Sequence, residues 1–227
     1  MRRFAVIGLG RFGTMLARAL ANAGQEVIAI DSDRDAVEKV RDFVSLAVKL
    51  DATDEKALLA QEVDKVDAAI VAIGDNFEAA SLTTAHLKSM GLAKVVVRAA
   101  TPIRVKILNL IGADEVINPE DESALRLAYR LSTPNIVDSL EIAQDFRMVQ
   151  QHAPKAFHGK RVVDIKLREK YSVNLVAIKK RYRRKTADGR EEFEDRIKDI
   201  PKPSDVIEPD DILVLIGRNE ALSALPE

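Results

Sequence analysis

The sequence predicts an α/β protein, a doubly wound parallel sheet followed by a small α+β C-terminal domain. Short apolar runs alternate with amphipathic stretches from residue 3 to about residue 132. Strands alternating with helices of that length form βαβ units, and their right-handed crossovers build a doubly wound sheet. Several runs are continuous in Val, Ile and Ala, as parallel strands covered on both faces require. After residue 132 the pattern shifts to strand-like segments of antiparallel character.

The predicted strands of the first part are 4–7, 27–30, 46–50, 68–73, 95–97 and 115–117, and the helices between them 11–23, 33–43, 54–61, 76–90 and 102–111. Thr101-Pro102 is a helix start, a capping hydroxyl followed by proline at the first helical position. Thr53-Asp54-Glu55 is another, because acidic residues in the first turn meet the positive end of the helix dipole. Pro134 interrupts a helical stretch. The sequence thus divides into a first domain over 1–134, a linking helix or hinge over 135–145 and a second domain over 146–227. Strand-like segments of the second domain are 146–152, 162–165, 173–179 and 211–216, and no internal repeat relates the two halves.

The 227 residues carry 35 Lys+Arg against 36 Asp+Glu, a net charge of −1, with 47% hydrophobic and 31% charged residues. This is the balance of an ordinary globular protein. The near-neutral charge argues against a general nucleic-acid binder. With no cysteine, disulfides, thiolate zinc sites and cysteine nucleophiles are excluded. No apolar run approaches the roughly 18 to 20 residues that span a bilayer. The N-terminal apolar stretch, broken by Gly8, Gly10 and Arg11, reads as a first strand and not as a signal peptide. A cytoplasmic protein is expected.

The first strand runs into Gly8-Leu9-Gly10-Arg11-Phe12-Gly13 and a helix follows at once. This is the G-x-G-x-x-G fingerprint of a Rossmann-like domain. Gly8 permits the tight turn, Gly10 lets backbone approach a pyrophosphate, and Gly13 lets the helix pack closely. The helix N-terminus turns free N–H groups and positive dipole toward the phosphates. Asp31 closes the second strand, where a carboxylate accepts hydrogen bonds from ribose hydroxyls. Arg11 adds a charge whose fork geometry suits phosphate oxygens; as alternatives it is a solvated or subunit-contact residue.

At this point the sequence resembles a known family, the cytoplasmic regulatory subunits of Ktr and Trk potassium transporters, built from the domain that regulates potassium conductance. The likeness covers essentially the whole chain. It is carried by residues 4–13, Ala52-Thr53, Ile70-Val71-Ala72-Ile73-Gly74, Leu82-Thr83-Thr84, Ile111-Gly112-Ala113-Asp114 and Pro119-Glu120. The resemblance implies ATP or ADP in the Rossmann cleft, or NAD+/NADH as in Trk-type relatives. It also implies dimers assembling into an octameric ring, docked beneath a potassium-translocating membrane subunit, with membrane contact only through that partner. By position, Gly8, Gly10, Arg11 and Gly13 would hold phosphates and Asp31 the ribose, with Phe12 of the same loop also among the cofactor-binding residues. Asp51 and Ala52 would lie near the adenine, Ile73, Gly74 and Asn76 across the cleft, and Arg98 against a phosphate. Glu120 would approach the γ-phosphate through a bound Mg2+, Ca2+ or Na+, since a carboxylate facing a triphosphate makes sense mainly with a metal between them. Alternatively, Glu120 is a helix N-terminal acid.

The second domain resembles the family's C-terminal module, which in some relatives binds cyclic di-AMP at a dimer interface. Val162 and Val163 would face a base and Arg168 a phosphate; as a β-branched pair, the valines equally suit a core strand. The basic run over 179–185 followed by acidic residues 191–195 departs from the family's compact module. Asp188-Gly189 is a hairpin turn signal. Folding there sets Lys185 opposite Glu192 and Arg183 opposite Glu194. A small nicotinamide-dependent oxidoreductase is the rival class. It needs a proton donor, yet His86, His152 and His158 show no partner spacing, so no enzyme is expected.

Overall fold

The computed structural model describes residues 1–185, 191–197 and 200–226. In the first of its two units, Met1–Glu122, the strands β1 (Arg3–Ile7), β2 (Glu26–Asp31), β3 (Leu46–Lys49), β4 (Ala68–Val71), β5 (Val95–Arg98) and β6 (Glu115–Ile117) form one sheet. Their order is β3-β2-β1-β4-β5-β6, and every neighbouring pair is parallel. The helices α1 (Arg11–Asn22), α2 (Arg34–Glu38), α3 (Glu55–Ala60), α4 (Phe77–Ser89) and α5 (Pro102–Ile111) connect the strands, and α6 (Pro119–Ser132) follows β6.

The continuous apolar runs are explained by two cores, one on each face of the sheet. Successive residues of a strand point to opposite faces. Ala5, Ile7, Ile28, Ile30, Ala69 and Val71 pack with Leu58, Leu87 and Leu108 in one cluster. Val6, Val27, Ala29 and Ile70 pack with Leu9, Ala17, Val37 and Val40 in another.

The helix starts read from sequence are present. The Asp54 carboxylate accepts from the N–H groups of Lys56 and Ala57 at 3.0 and 3.2 Å, and Thr101 caps α5 with Pro102 in its first turn. Gly112, at φ +109°, ends α5 in the left-handed conformation that glycine adopts without strain. The segment 33–43 is helical only over Arg34–Glu38. Beyond it Val40 N–H bonds Val37 O and Phe43 N–H bonds Val40 O, so the helical pattern tightens into three-residue turns.

The second unit, Ser123–Glu227, holds β7 (Ile136–Ala143), β8 (Phe146–His152), β9 (Asn174–Lys185), β10 (Glu191–Ile197) and β11 (Ile212–Arg218), with the short helices α7 (Val162–Ile165), α8 (Leu167–Tyr171) and α9 (Asn219–Ser223). The sheet order is β10-β9-β11-β8-β7, antiparallel throughout. Val149, Phe157, Ile165, Ile178, Ile207, Leu213 and Leu215 form its core.

Three expectations are corrected here. Residues 135–145 are not a linking helix: they contain β7, bounded by Asn135 and Asp145 at φ +64° and +59°. These residue types enter the left-handed region more readily than most. Residues 162–165 are not a strand but the single turn α7, where Arg161 pairs with Asp164 three residues on. In the β9–β10 ladder Lys185 faces Glu191, Arg184 faces Glu192 and Arg183 faces Phe193, one residue out of the expected register. The Asp188-Gly189 turn lies outside the described residues. No helix among the described residues is long and apolar enough to cross a membrane.

Candidate functional site

A cavity of about 810 Å³ opens at the C-terminal ends of β1, β2 and β4, where Ile7, the last residue of β1, stands opposite Ile30, the penultimate residue of β2, and Val71, the last of β4. The chain order reverses between β1 and β4, and crevices at such a switch point are where open α/β sheets bind ligands. The size suits a small-molecule ligand.

The glycine loop forms one wall, and its glycines differ in purpose. Gly8 has φ +97°, and a Cβ there would meet the backbone of Ala72 and Ile73 at 2.9 Å. A Cβ on Gly13 would lie 1.8 Å from the Gly8 carbonyl oxygen, so α1 seats directly on the turn. Gly10 lines the cavity, and a Cβ there would meet no protein atom within 4 Å. Its bare backbone is a cradle that a side chain would fill. Gly10 is also the N-cap of α1, with no side-chain cap and no acidic residue in the first turn, so no side chain of the cap or first turn answers the helix dipole.

Asp31 ties loop to sheet. Its Oδ2 accepts the Leu9 N–H at 2.6 Å and its Oδ1 the Asp33 N–H at 2.8 Å, which orients the carboxylate at the rim. On the same side, Asp51 Oδ1 accepts from the Thr53 N–H at 2.9 Å and its hydroxyl at 2.7 Å. These two bonds hold the Asp51 carboxyl below the ordinary carboxylate range. The fully buried Thr83 of α4 donates to the Ala52 carbonyl at 3.1 Å and so fixes Ala52 in the wall.

Across the cavity Arg98, at the end of β5, pairs with Glu120 in the first turn of α6. Nη2 donates to Glu120 Oε1, and Nε lies 3.4 Å from Oε2. The Arg98 hydrogen bond draws the Glu120 carboxyl below its ordinary range. Gly74 makes room for this: a Cβ on it would stand 2.8 Å from Arg98 Nη1. Arg104 Nη1 lies 3.4 Å from the Gly74 carbonyl, and its guanidinium covers the Phe77 ring.

The cavity therefore gathers Gly8, Gly10, Arg11, Phe12, Asp31, Asp51, Ala52, Ile73, Gly74, Asn76, Arg98 and Glu120. Gly13 stands behind the wall. Ser32, Thr53, Asp75, Glu78 and Leu82 also line it and were not read from the sequence as site residues, although Thr53 and Leu82 belong to the runs that carried the resemblance and Thr53 also to a predicted helix start. None of the three histidines lines it. Among the described residues no three His, Cys, Asp or Glu side chains gather to hold a metal. In the second unit, Val162 packs partly buried on the core, Val163 is half exposed, and Arg168 Nε donates to Asn174 Oδ1 at 2.8 Å.

Fold and cleft together define a two-unit protein, a Rossmann-like unit with a cleft at its switch point followed by an antiparallel module. Residues 4–119 match the TrkA-N domain and residues 151–226 the TrkA-C domain. The chain is 38% identical to Ktr system potassium uptake protein C of Bacillus subtilis over 95% of its length and 92% of that protein's. It is 32% identical to Ktr system potassium uptake protein A of the same organism, over 96% and 93%. The chain thus belongs to the TrkA-N/TrkA-C family of Ktr and Trk potassium uptake system proteins. Among solved structures it superposes on the GsuK RCK domain with a TM-score of 0.66 at 15% identity, covering 98% of this chain and 46% of that one. It also superposes on the GsuK channel bound to NAD, with a TM-score of 0.66 at 15% identity, covering 97% of this chain and 38% of that one. The chain spans less than half of those proteins, and both likenesses concern the fold.

Proposed function

We propose that this chain is a cytoplasmic, nucleotide-sensing regulatory subunit of a potassium uptake system. It binds ATP or ADP in the cleft of its first unit, assembles as dimers into an octameric ring, and gates a separate potassium-translocating membrane subunit. The observation that carries this reading is a cleft at the switch point with open backbone at Gly10 and guanidiniums at Arg11 and Arg98. Gly8, Gly10 and the start of α1 take the phosphates, Asp31 the ribose, and Asp51 and Ala52 the adenine. Ile73, Gly74 and Asn76 close the opposite wall. Arg11, which pairs with no described residue, reaches the γ-phosphate. Glu120, with Mg2+, Ca2+ or Na+, reads the same group.

The mechanism is binding, not catalysis. A ligand shifts an equilibrium only by its differential affinity for two states, and a coupling of about 1–3 kcal/mol per site is typical. Identical sites acting together sharpen the response.

NAD+/NADH is a second reading of the same cleft, with which Asp31 is equally compatible, since it suits either adenosine ribose. In the second unit, Val162, Val163 and Arg168 form the candidate contact for cyclic di-AMP at a dimer interface.

Calorimetry with ATP, ADP, NADH and cyclic di-AMP, with and without divalent cations, tests these readings. Tight ATP and ADP binding with a cation effect on ATP alone is the expected result. Preference for NADH with weak ATP moves the chain to a redox-linked regulator. Arg11→Ala should weaken ATP about tenfold more than ADP, the size of a lost charge-assisted phosphate contact. Equal losses would remove Arg11 from γ-phosphate recognition.

A further inference from the structure

We infer that Glu120 is a built-in competitor of the nucleotide for Arg98: its carboxylate occupies the edge of the guanidinium that a terminal phosphate needs, so phosphate binding exchanges one ion pair for another. This rests on the nucleotide reading of the cleft and adds how the site is regulated.

The geometry leaves Arg98 little choice. Its Nε and Nη2 both face the Glu120 carboxylate, the two-pronged arrangement that a phosphate would also seek. Its third nitrogen, Nη1, lies beside Gly74, close enough that a Cβ there would stand 2.8 Å away. The Arg98 side chain is only 23% exposed, whereas that of Glu120 is 56% exposed. Arg98 is therefore the fixed partner and Glu120 the one free to leave. A phosphate reaching the Nε–Nη2 edge displaces Glu120 into solvent at the mouth of the cleft.

Charge gives the exchange a consequence. Five carboxylates line the cavity (Asp31, Asp51, Asp75, Glu78 and Glu120) against the guanidiniums of Arg11 and Arg98. While Glu120 is paired, its charge is answered. Once displaced it loses that partner and stands beside a polyanion. The exchange thus opposes phosphate binding and creates at Glu120 a carboxylate in need of a cation. The dependence of nucleotide affinity on added cation then originates in Arg98 changing partners, and not in a preformed metal site, which the described residues do not contain.

The test is calorimetric titration of the full chain with ATP, ADP and AMP in the presence of a chelator. The proteins compared are wild type, Glu120→Gln, Arg98→Met and the double variant, each checked for unchanged ligand-free melting. Glu120→Gln should bind ATP about fivefold tighter than wild type, the size of a modest site-to-site coupling. The gain should vanish in the Arg98→Met background and should be absent for AMP, which has no phosphate beyond the first. A gain that persists without Arg98, or is as large for AMP, makes Glu120 a general repulsive charge and overturns the exchange. The AMP comparison stands even if the Arg98 variants fail to fold. If wild type binds none of the three nucleotides, the nucleotide reading itself fails and the exchange falls with it. If wild type binds and Glu120→Gln shows no gain, only the exchange is lost.

Discussion

Gly10 and Gly13 lie three residues apart in one loop, and the space around them is opposite in kind. A Cβ on Gly13 would fall 1.8 Å from the Gly8 carbonyl oxygen, whereas one on Gly10 would touch nothing within 4 Å. Gly13→Ala forces α1 away from the turn and should destabilise the chain by about 1–3 kcal/mol, the usual cost of overpacking. Gly10→Ala meets no neighbour, and its φ of −63° is open to any residue. Its unfolding free energy should change by less than about 0.5 kcal/mol, while its nucleotide affinity falls because the methyl enters the cradle. Denaturant unfolding and calorimetry on the two variants separate these outcomes. A Gly10→Ala protein that binds normally would remove the loop from phosphate contact. Gly8, Gly10 and Arg11 were legible in the sequence as cavity-lining residues because they lie in one βα turn, and Asp31 because it ends the following strand. Thr83 and Arg104 were not assigned roles, because each acts on a backbone carbonyl about 30 residues away in the chain.

At the scale of elements, Asp114 joins three of them just before β6. Lys88 of α4 donates to its two oxygens at 2.9 and 3.1 Å, and the Val95 N–H of β5 donates at 2.6 Å. The Lys88 hydrogen bond, then that from Val95, holds the Asp114 carboxyl below the ordinary range. Because folding lowers this pKa, the contact contributes stability above the ordinary carboxylate range. That contribution is lost as pH falls through the depressed value. Asp114→Asn should therefore lower the melting temperature at neutral pH and have little effect in acid. A loss of equal size at both ends of a pH series would show that the charge of Asp114 is immaterial. Elements were legible where the pattern was long. Residues 162–165 are a four-residue apolar run, too short to separate strand from helix by periodicity. The local Arg161–Asp164 pair and the left-handed Lys166, at φ +55°, settle it as a single turn. Residues 135–145 place apolar side chains at 136, 137, 140, 142 and 143, a spacing that fits a helix as well as a strand. Pairing with β8 decides it.

In the whole molecule each unit carries its own buried core. Leu87 in the first and Leu213 in the second are fully buried. Leu87→Ala and Leu213→Ala should each cost about 2–5 kcal/mol of stability, the range for such truncations, read from denaturant unfolding. A cost below that range would mean that the neighbouring side chains collapse into the space. The doubly wound sheet and its glycine loop were determined by the sequence alone, because they follow from local rules: hydrophobic period, caps and the steric freedom of glycine. The register of β9 with β10, the strand identity of β7 and the meeting of Arg98 with Glu120, 22 residues apart, were decided only by the tertiary structure. Each depends on which segments the sheets bring side by side, and the free energy of such a pairing lies in contacts between residues that no local pattern links.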